Sequence, residues 1–264
     1  MFAVNLHVLR GCSVASHCFS HDKPQRRSAY HLPPLAAEDY EVAIGLLAQE
    51  GCTKIDVLGG DLFRVPQLVP SILEQAKRYG IFTGVITNGA FATVGSNLDM
   101  FGVSIDSFDT ETNERMKKSK VPLKQLLDLR NRAKDTGVLF RLNTVISTRN
   151  VDEDFTAHMN LLDVDQWKIC KALGVSNDGG AHCQDVRVSD ADFQGFLDRH
   201  RRNNPVVADP HTGARNHYIV LDEHLRFIDW ATNEHFTESM LLDNTALSTA
   251  LERLDLRARR GGVV

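Results

Sequence analysis

Lys54-Ile55-Asp56-Val57-Leu58-Gly59-Gly60-Asp61 reads as a short strand stopped by two glycines, with branched and apolar residues in the run and turn-formers after it. Downstream, Leu68, Ile72, Leu73 and Ala76 recur at helical spacing, and Ile81–Ile86 is the next strand, ending at Thr87-Asn88-Gly89. Upstream, Phe2–Leu9 is an apolar run long enough for a buried strand. Val42, Ile44, Leu46 and Leu47 lie in a helical stretch from Glu38 to Gln49 that Gly51 can end. Strand, helix, strand, helix, strand at short and even spacing predicts parallel strands joined by crossover helices.

The alternation continues. Met100–Ile105 is a strand, Leu123–Ala133 a helix, Val138–Val145 a strand. Asn150 with Glu153 makes a capping box for a helix reaching about Leu162, and Gln166–Leu173 is a sixth strand. After a Gly-rich loop at Gly174–Ala181, Ser189 and Asp192 repeat the capping signal for a helix through His200. His217–Leu221 and Leu225–Trp230 are separated by only Asp222-Glu223-His224, too short for a crossover, and predict a hairpin. A last helix covers roughly Asn244–Leu254. The expected architecture is a single α/β domain over residues 1–264. It has a partial (β/α)6 barrel core over about 1–202 and a C-terminal β-hairpin and helix over about 205–260.

The 264 residues are 42% hydrophobic and 24% charged, with a net charge of -4. These figures exclude general disorder and a polycationic binder of nucleic acid or anionic membrane. Arg199-His200-Arg201-Arg202 and the arginines at 257, 259 and 260 are separate helix-end clusters, which suit solvation and the helix dipole. No apolar run reaches the roughly 20 residues of a membrane span, and the opening MFAVNLHVLRGC reads as a strand, not a signal peptide. Five cysteines, odd in number and sparse, point to a reducing compartment and a cytoplasmic protein.

In such folds chemistry sits at the C-terminal ends of the strands. The polar groups fall there: the Cys12–His21 loop, Gly59-Gly60-Asp61, Thr87-Asn88-Gly89, Asp106-Ser107, Asn143 and Lys168. Cys12, His17, Cys18 and His21 pack two thiols and two imidazoles into ten residues. Thiolates suit iron–sulfur clusters and zinc, and the spacing does not choose between them or exclude idle loop thiols.

These residues carry a resemblance. Asn5-Leu6-His7 ahead of Cys12, Cys18-Phe19-Ser20-His21, the Lys54–Asp61 stretch, Thr87-Asn88-Gly89 and Val103-Ser104-Ile105-Asp106-Ser107-Phe108-Asp109 stand in order. Asn143-Thr144-Val145-Ile146, Asn150-Val151-Asp152-Glu153-Asp154, Trp167-Lys168 and Tyr218-Ile219-Val220-Leu221-Asp222-Glu223 follow. In this set the chain resembles the radical S-adenosylmethionine (SAM) superfamily, specifically the viperin-like nucleotide dehydratases. The resemblance implies a [4Fe–4S] cluster held by three thiolates, with SAM on the remaining iron. It implies a 5′-deoxyadenosyl radical that takes the C4′ hydrogen of CTP or another nucleoside triphosphate, with loss of water. It also implies an electron donor such as flavodoxin or ferredoxin.

Carried over residue by residue, the metal candidates are Cys12, Cys18, His17 and His21. Gly59, Gly60, Asp61, Thr87, Asn88 and Ser104 match the SAM side. Asn5, Lys54, Arg141 and Lys168 match the nucleotide side, and Tyr218 lies near the substrate ribose, with Lys168 and Tyr218 the catalytic candidates. The sequence also departs from the pattern. The cluster loop offers two thiolates rather than three, with Ser16 where the second cysteine falls when the loop is aligned from Cys12. Gln166 replaces an arginine beside Trp167-Lys168. The readings are therefore a radical enzyme with an unusual cluster site, or a degenerate homologue lacking the cluster. The second would act as a nucleotide-binding or regulatory protein, able to pair with an active relative. A zinc protein using the same loop is a further alternative, and a nucleic-acid module is the weakest.

Overall fold

The structure is a computed structural model, and it describes residues 1–9, 34–60, 62, 65–89, 94–116, 118, 120–172, 186–201, 205–209, 218–229 and 234–253. Its elements in chain order are β1 (Phe2–His7), α1 (Ala37–Gln49), β2 (Cys52–Leu58), α2 (Leu68–Arg78), β3 (Phe82–Thr87) and β4 (Met100–Ser104). Next come α3 (Thr110–Arg115), α4 (Leu123–Asp135), β5 (Leu139–Ile146), α5 (Thr156–Leu162), β6 (Gln166–Lys171) and α6 (Asp190–His200). The last are β7 (Val206–Asp209), β8 (Tyr218–Leu221), β9 (Arg226–Asp229), β10 (Glu234–Ser239) and α7 (Ala246–Arg253).

All ten strands form one sheet in the order β10-β9-β8-β1-β2-β3-β4-β5-β6-β7. Strands β1 to β7 run parallel, and β8 lies parallel to β1 on its outer side. The predicted hairpin is present, with β9 antiparallel to β8. It is no appendage, because β8 extends the barrel sheet directly. Six steps at about 4.8 Å would put β8 roughly 29 Å from β6 in a flat sheet. Yet the Lys168 ammonium of β6 lies 5.1 Å from the Tyr218 ring centroid of β8. The sheet is therefore curled into a partial barrel, with helices packed on its convex face.

That convex face holds the core. Ile44 and Leu47 of α1, Ile72 and Ala76 of α2, and Leu126 and Ala133 of α4 are buried against Val4, Leu6, Ile55, Val57, Phe101, Phe140 and Leu142 of the strands. Farther along, Trp167 of β6 packs on Phe155, Phe196 and His200, with ring centroids 5.5, 6.1 and 5.4 Å away. His200 is a satisfied core imidazole: Phe155 N–H donates to Nε2 at 3.1 Å, and Nδ1 lies 2.8 Å from the Phe196 carbonyl. Among the described residues no helix is long and apolar enough to cross a membrane.

Three elements lie outside the sequence expectation. β7 has four residues, too few to show a period. β10 is Glu234-His235-Phe236-Thr237-Glu238-Ser239, too polar to stand out as a strand. α3 has six residues and begins where the Asp109 carboxylate accepts the Thr112 N–H at 2.8 Å. One local expectation is corrected. Asn150 and Glu153 cap no helix, since α5 begins at Thr156, whose N–H donates to Asp154 at 2.8 Å. Asn150 instead clamps a turn: its carbonyl oxygen accepts the Ser147 N–H at 2.7 Å, and its amide donates to the carbonyls of Asp106 and Val145 at 2.6 and 2.9 Å. Glu153 accepts the Phe108 N–H at 2.8 Å across 45 residues of chain. The second cap is as expected, with Ser189 accepting the Asp192 N–H at 3.0 Å at the start of α6.

Candidate functional site

In parallel strands, register partners share a face and alternate residues of one strand point the same way. Asp56 pairs with Asn5 on one side and Gly84 on the other, Lys54 with Ala3 and Phe82, and Tyr218 with Ala3. Across the barrel, Arg141 is flanked by Gly102 and Gln166, and Asn143 by Ser104 and Lys168. The alternate residues of these strands, Val4, Ile55, Val57, Phe140, Leu142 and Ile169, are apolar and buried in the core on the other face. Asn5, Lys54, Asp56, Ser104, Arg141, Asn143, Lys168 and Tyr218 therefore line the concave interior.

Two glycines let the opposite walls meet. A Cβ on Gly84 would fall 2.0 Å from Asp56 Oδ1, and one on Gly102 2.9 Å from Asn143 Nδ2. With no side chains on these middle strands, groups from β2 and β5 approach over a bare trough. Asp56 Oδ2 takes the Lys54 ammonium at 3.1 Å and the Arg141 guanidinium at 3.5 Å. Lys168 contacts Asp209 of β7 at 3.3 Å while lying over the Tyr218 ring. Asp56 and Arg141 are more than nine-tenths buried. Among the described residues, Asp56 Oδ1, Arg141 Nε and Asn143 Nδ2 have no hydrogen-bond partner. Unmet buried polar atoms in a concave site mark where a further polar molecule completes the network.

Burial pulls the Lys54 ammonium below its ordinary value, with Arg141 and Lys168 adding to the effect and Asp56 opposing it. Burial drives the Tyr218 phenol well above the usual range, helped by Asp209, Cys170 and Asp56 and opposed by Arg141. Tyr218 thus stays protonated and can donate. Arg141 thus bears on both Lys54 and Tyr218 across the barrel. The sequence candidates Asn5, Lys54, Arg141, Lys168 and Tyr218 are brought to this one interior.

The other candidates sit at the strand exits. Gly59 has φ +151°, and a Cβ there would lie 2.7 Å from the Leu9 carbonyl oxygen. Gly60 N–H donates to that same oxygen at 2.6 Å. The glycine pair therefore seats the end of β2 on the exit of β1, which close packing alone requires. Thr87 is buried on the helix-facing side, where its hydroxyl accepts the Gly89 N–H at 3.2 Å, and it does not join the interior group. Asn88 follows it at the strand exit, and Ser104 closes β4 beside Asn143. Cys12, His17, Cys18, His21 and Asp61 lie outside the described residues.

Sequence reasoning placed Asn143 among the polar groups at the strand ends without giving it a role, and did not include Asp56 or Asp209 among the site residues. Asp56 and Asn143 could have been found by alternation, each standing two residues from a candidate cation on the same strand. Asp209 carries no such signal, because its strand shows none.

Solved structures define the class of this fold. Over 98% of this chain and 67% of theirs, it superposes on Streptococcus suis SuiB bound to precursor peptide SuiA with a TM-score of 0.71 and 12% identity. It matches native anSMEcpe with bound AdoMet at a TM-score of 0.64 and 13% identity, over 86% of this chain and 74% of that one. With coproporphyrinogen III oxidase from Escherichia coli, a radical SAM enzyme, the TM-score is 0.52 at 9% identity, over 75% and 50% of the two chains. The fold is the radical SAM partial barrel.

No family model matches the chain. Whole-chain relatives do. The S-adenosylmethionine-dependent nucleotide dehydratase RSAD2 of Siniperca chuatsi is 30% identical over 260 residues, 91% of this chain and 72% of that protein. Its namesake in Oncorhynchus mykiss is 28% identical over 262 residues, 91% and 73% of the two chains. The S-adenosylmethionine-dependent nucleotide dehydratase of Selenomonas ruminantium is also 28% identical over 262 residues, 91% and 90%. The chain belongs to this viperin-like radical SAM family.

The cluster loop and the described residues do not supply the three-thiolate set that the family implies, and Cys183 lies outside the described residues. A [4Fe–4S] centre that leaves one iron open needs three thiolates, and the loop sequence supplies two, Cys12 and Cys18. Two of the remaining thiols are placed. Cys52 opens β2 at its N-terminal end, away from the strand exits, donates to the Lys54 carbonyl at 3.3 Å, and is pushed by burial up to about 12. Cys170 lies inside β6 and is pushed by burial up to about 11. Both are held as thiols, the poorer metal-ligand form. Among the described residues no three His, Cys, Asp or Glu side chains are grouped to hold a metal.

Proposed function

We propose that this protein is a nucleotide-binding member of the viperin-like family that holds an anionic nucleotide in the barrel interior without a radical-initiating cluster. One observation carries the reading: Lys54, Arg141 and Lys168, from three separate strands, converge with Tyr218 on one concave face. Cations drawn from three strands to one concave face suit an anionic ligand, and the names of the relatives supply the nucleotide. In this reading the Lys54 and Lys168 ammonium groups and the Arg141 guanidinium meet phosphate oxygens. Asn5 and the protonated Tyr218 hydroxyl offer neutral hydrogen bonds to the sugar. Gly59, Gly60, Asn88 and Ser104 form the side toward SAM, whose binding is measured separately. A binding or regulatory role alongside an active relative follows, and no electron donor is required.

The test measures two properties of the full chain. Nucleotide binding by calorimetry should be present and should fall by about tenfold or more in Lys168→Met. Iron and acid-labile sulfide after anaerobic reconstitution should stay well below the four of each that a [4Fe–4S] centre contains. About four iron and four sulfide per chain, with a reduced-state EPR signal perturbed by SAM, would reinstate radical chemistry and overturn the cluster-free half of the reading. Absence of nucleotide binding would overturn the other half.

A further inference from the structure

Asp56 stands beside the cations to which the nucleotide-binding reading brings phosphate. Its Oδ2 takes the Lys54 ammonium at 3.1 Å and the Arg141 guanidinium at 3.5 Å, so phosphate oxygens that meet either cation come to rest next to a carboxylate. Two anions held side by side repel, and more strongly in a buried site than in water. Resting on the nucleotide-binding reading, we propose that the nucleotide enters as its complex with a divalent cation of the magnesium class, and that Asp56 Oδ1 is the protein's ligand to that ion.

The carboxylate does not escape the repulsion by swinging away. It is 7% exposed, with no solvent into which to turn, and cations from β2 and β5 hold one of its oxygens. Arg141 is equally confined, at 5% exposed, and it reaches Asp56 over the trough that Gly84 and Gly102 leave on β3 and β4. A metal ion shared by carboxylate and phosphate turns the same closeness into attraction.

The donor chemistry fits such an ion. Mg2+ is hard, takes oxygen ligands, keeps several waters, and is usually held by one or two carboxylates together with the phosphates of its nucleotide. Asp56 Oδ2 is engaged by Lys54 and Arg141, whereas Oδ1 has no hydrogen-bond partner among the described residues. Oδ1 lies over the bare backbone of Gly84, where a Cβ would fall 2.0 Å from it and 2.6 Å from Met100 Cε. Asn143 Nδ2, an unpartnered donor beside Gly102, suits a phosphate oxygen or a metal-bound water. Among the described residues no three His, Cys, Asp or Glu side chains group to hold a metal, so the ion stays only when the nucleotide supplies its other ligands.

The experiment is calorimetric titration of the full chain with CTP at fixed ionic strength, once in excess magnesium chloride and once in EDTA. The wild type should bind about tenfold or more tightly with magnesium. Asp56→Asn keeps the shape of the side chain but removes the charged ligand, and its affinity should be no tighter with magnesium than in EDTA. A wild-type affinity that is equal or weaker in magnesium overturns the proposal, and so does a magnesium gain that survives in the folded variant. Circular dichroism checks folding. Should Asp56→Asn fail to fold, EPR of Mn2+ with the wild type carries the test. The spectrum of Mn2+ with CTP should change when the protein is added, and that of Mn2+ alone should not. A change with Mn2+ alone, or none while calorimetry shows CTP bound, overturns the proposal. If CTP binds under neither condition, the nucleotide-binding reading itself has failed, a result distinct from binding that ignores the metal.

Discussion

Gly84 shows how much a single missing side chain arranges here. It holds no unusual backbone angle; its role is space, since the Asp56 carboxylate lies where its Cβ would be. Gly84→Ala should force that carboxylate out of its contacts with Lys54 and Arg141, at a cost of about 1–3 kcal/mol from overpacking and lost pairing. Nucleotide affinity should change in the same variant, because two of the three cations lose their common anchor. Urea denaturation beside calorimetry reads both, and an unchanged affinity would show that the trough does not organise the cations. At this scale the sequence was partly legible. Lys54, Arg141, Lys168 and Tyr218 stand out as polar residues in apolar strands. Asp56 was quoted in its motif and still missed, because a carboxylate beside a lysine reads as a solvated strand end until the strand across the barrel is known.

At the scale of elements, the carboxylate of Asp99, just before β4, ties three of them together. It accepts the Thr83 N–H of β3 at 2.7 Å and binds the Lys77 ammonium of α2 at 2.5 Å. Burial raises its pKa, but Lys77 and Thr83 outweigh that and hold the carboxyl below its ordinary value. A lowered folded value means stability that is present above the unfolded pKa of about 4 and lost as pH falls through the folded one. Asp99→Asn should therefore cost about 1 kcal/mol at pH 7, a figure kept small because the pair is partly exposed. The gap to wild type should close as unfolding is followed from pH 5 down to about 2, and a gap that stays constant would mean the charge is immaterial. Elements of this length were legible because a 3.6-residue period needs several turns to declare itself, as in α1, α2 and α4. The four residues of β7 and six of α3 do not allow it. The Asn150–Glu153 pattern misled because its side chains reach backbone groups elsewhere in the chain, and only the folded turn reveals which.

At the scale of the molecule, the curled sheet separates two duties by strand alternation. The convex face carries stability and the concave face carries binding, so neighbours in sequence should behave as opposites. Trp167 and Lys168 are the sharpest case. The indole of Trp167 is wholly buried among Phe155, Phe196 and His200, and its N–H donates to Thr144 Oγ1 at 2.9 Å, a hydroxyl that itself donates to the Ile105 carbonyl at 2.7 Å. Trp167→Phe leaves a void and an unmet acceptor, and should lower stability by about 2–3 kcal/mol. Nucleotide affinity in that variant should stay within about twofold, because the substitution leaves every interior side chain in place. Lys168→Met removes a cation from the interior but keeps the length of the side chain over Tyr218. It should cost about tenfold or more in affinity while changing stability by less than about 1 kcal/mol, since only one partly exposed ion pair is lost. The two variants, measured by urea unfolding and calorimetry on the same preparations, test the division directly. If each lost both properties, the faces would be coupled through the sheet, and the interior would have to be treated as part of the core rather than as a site built upon it.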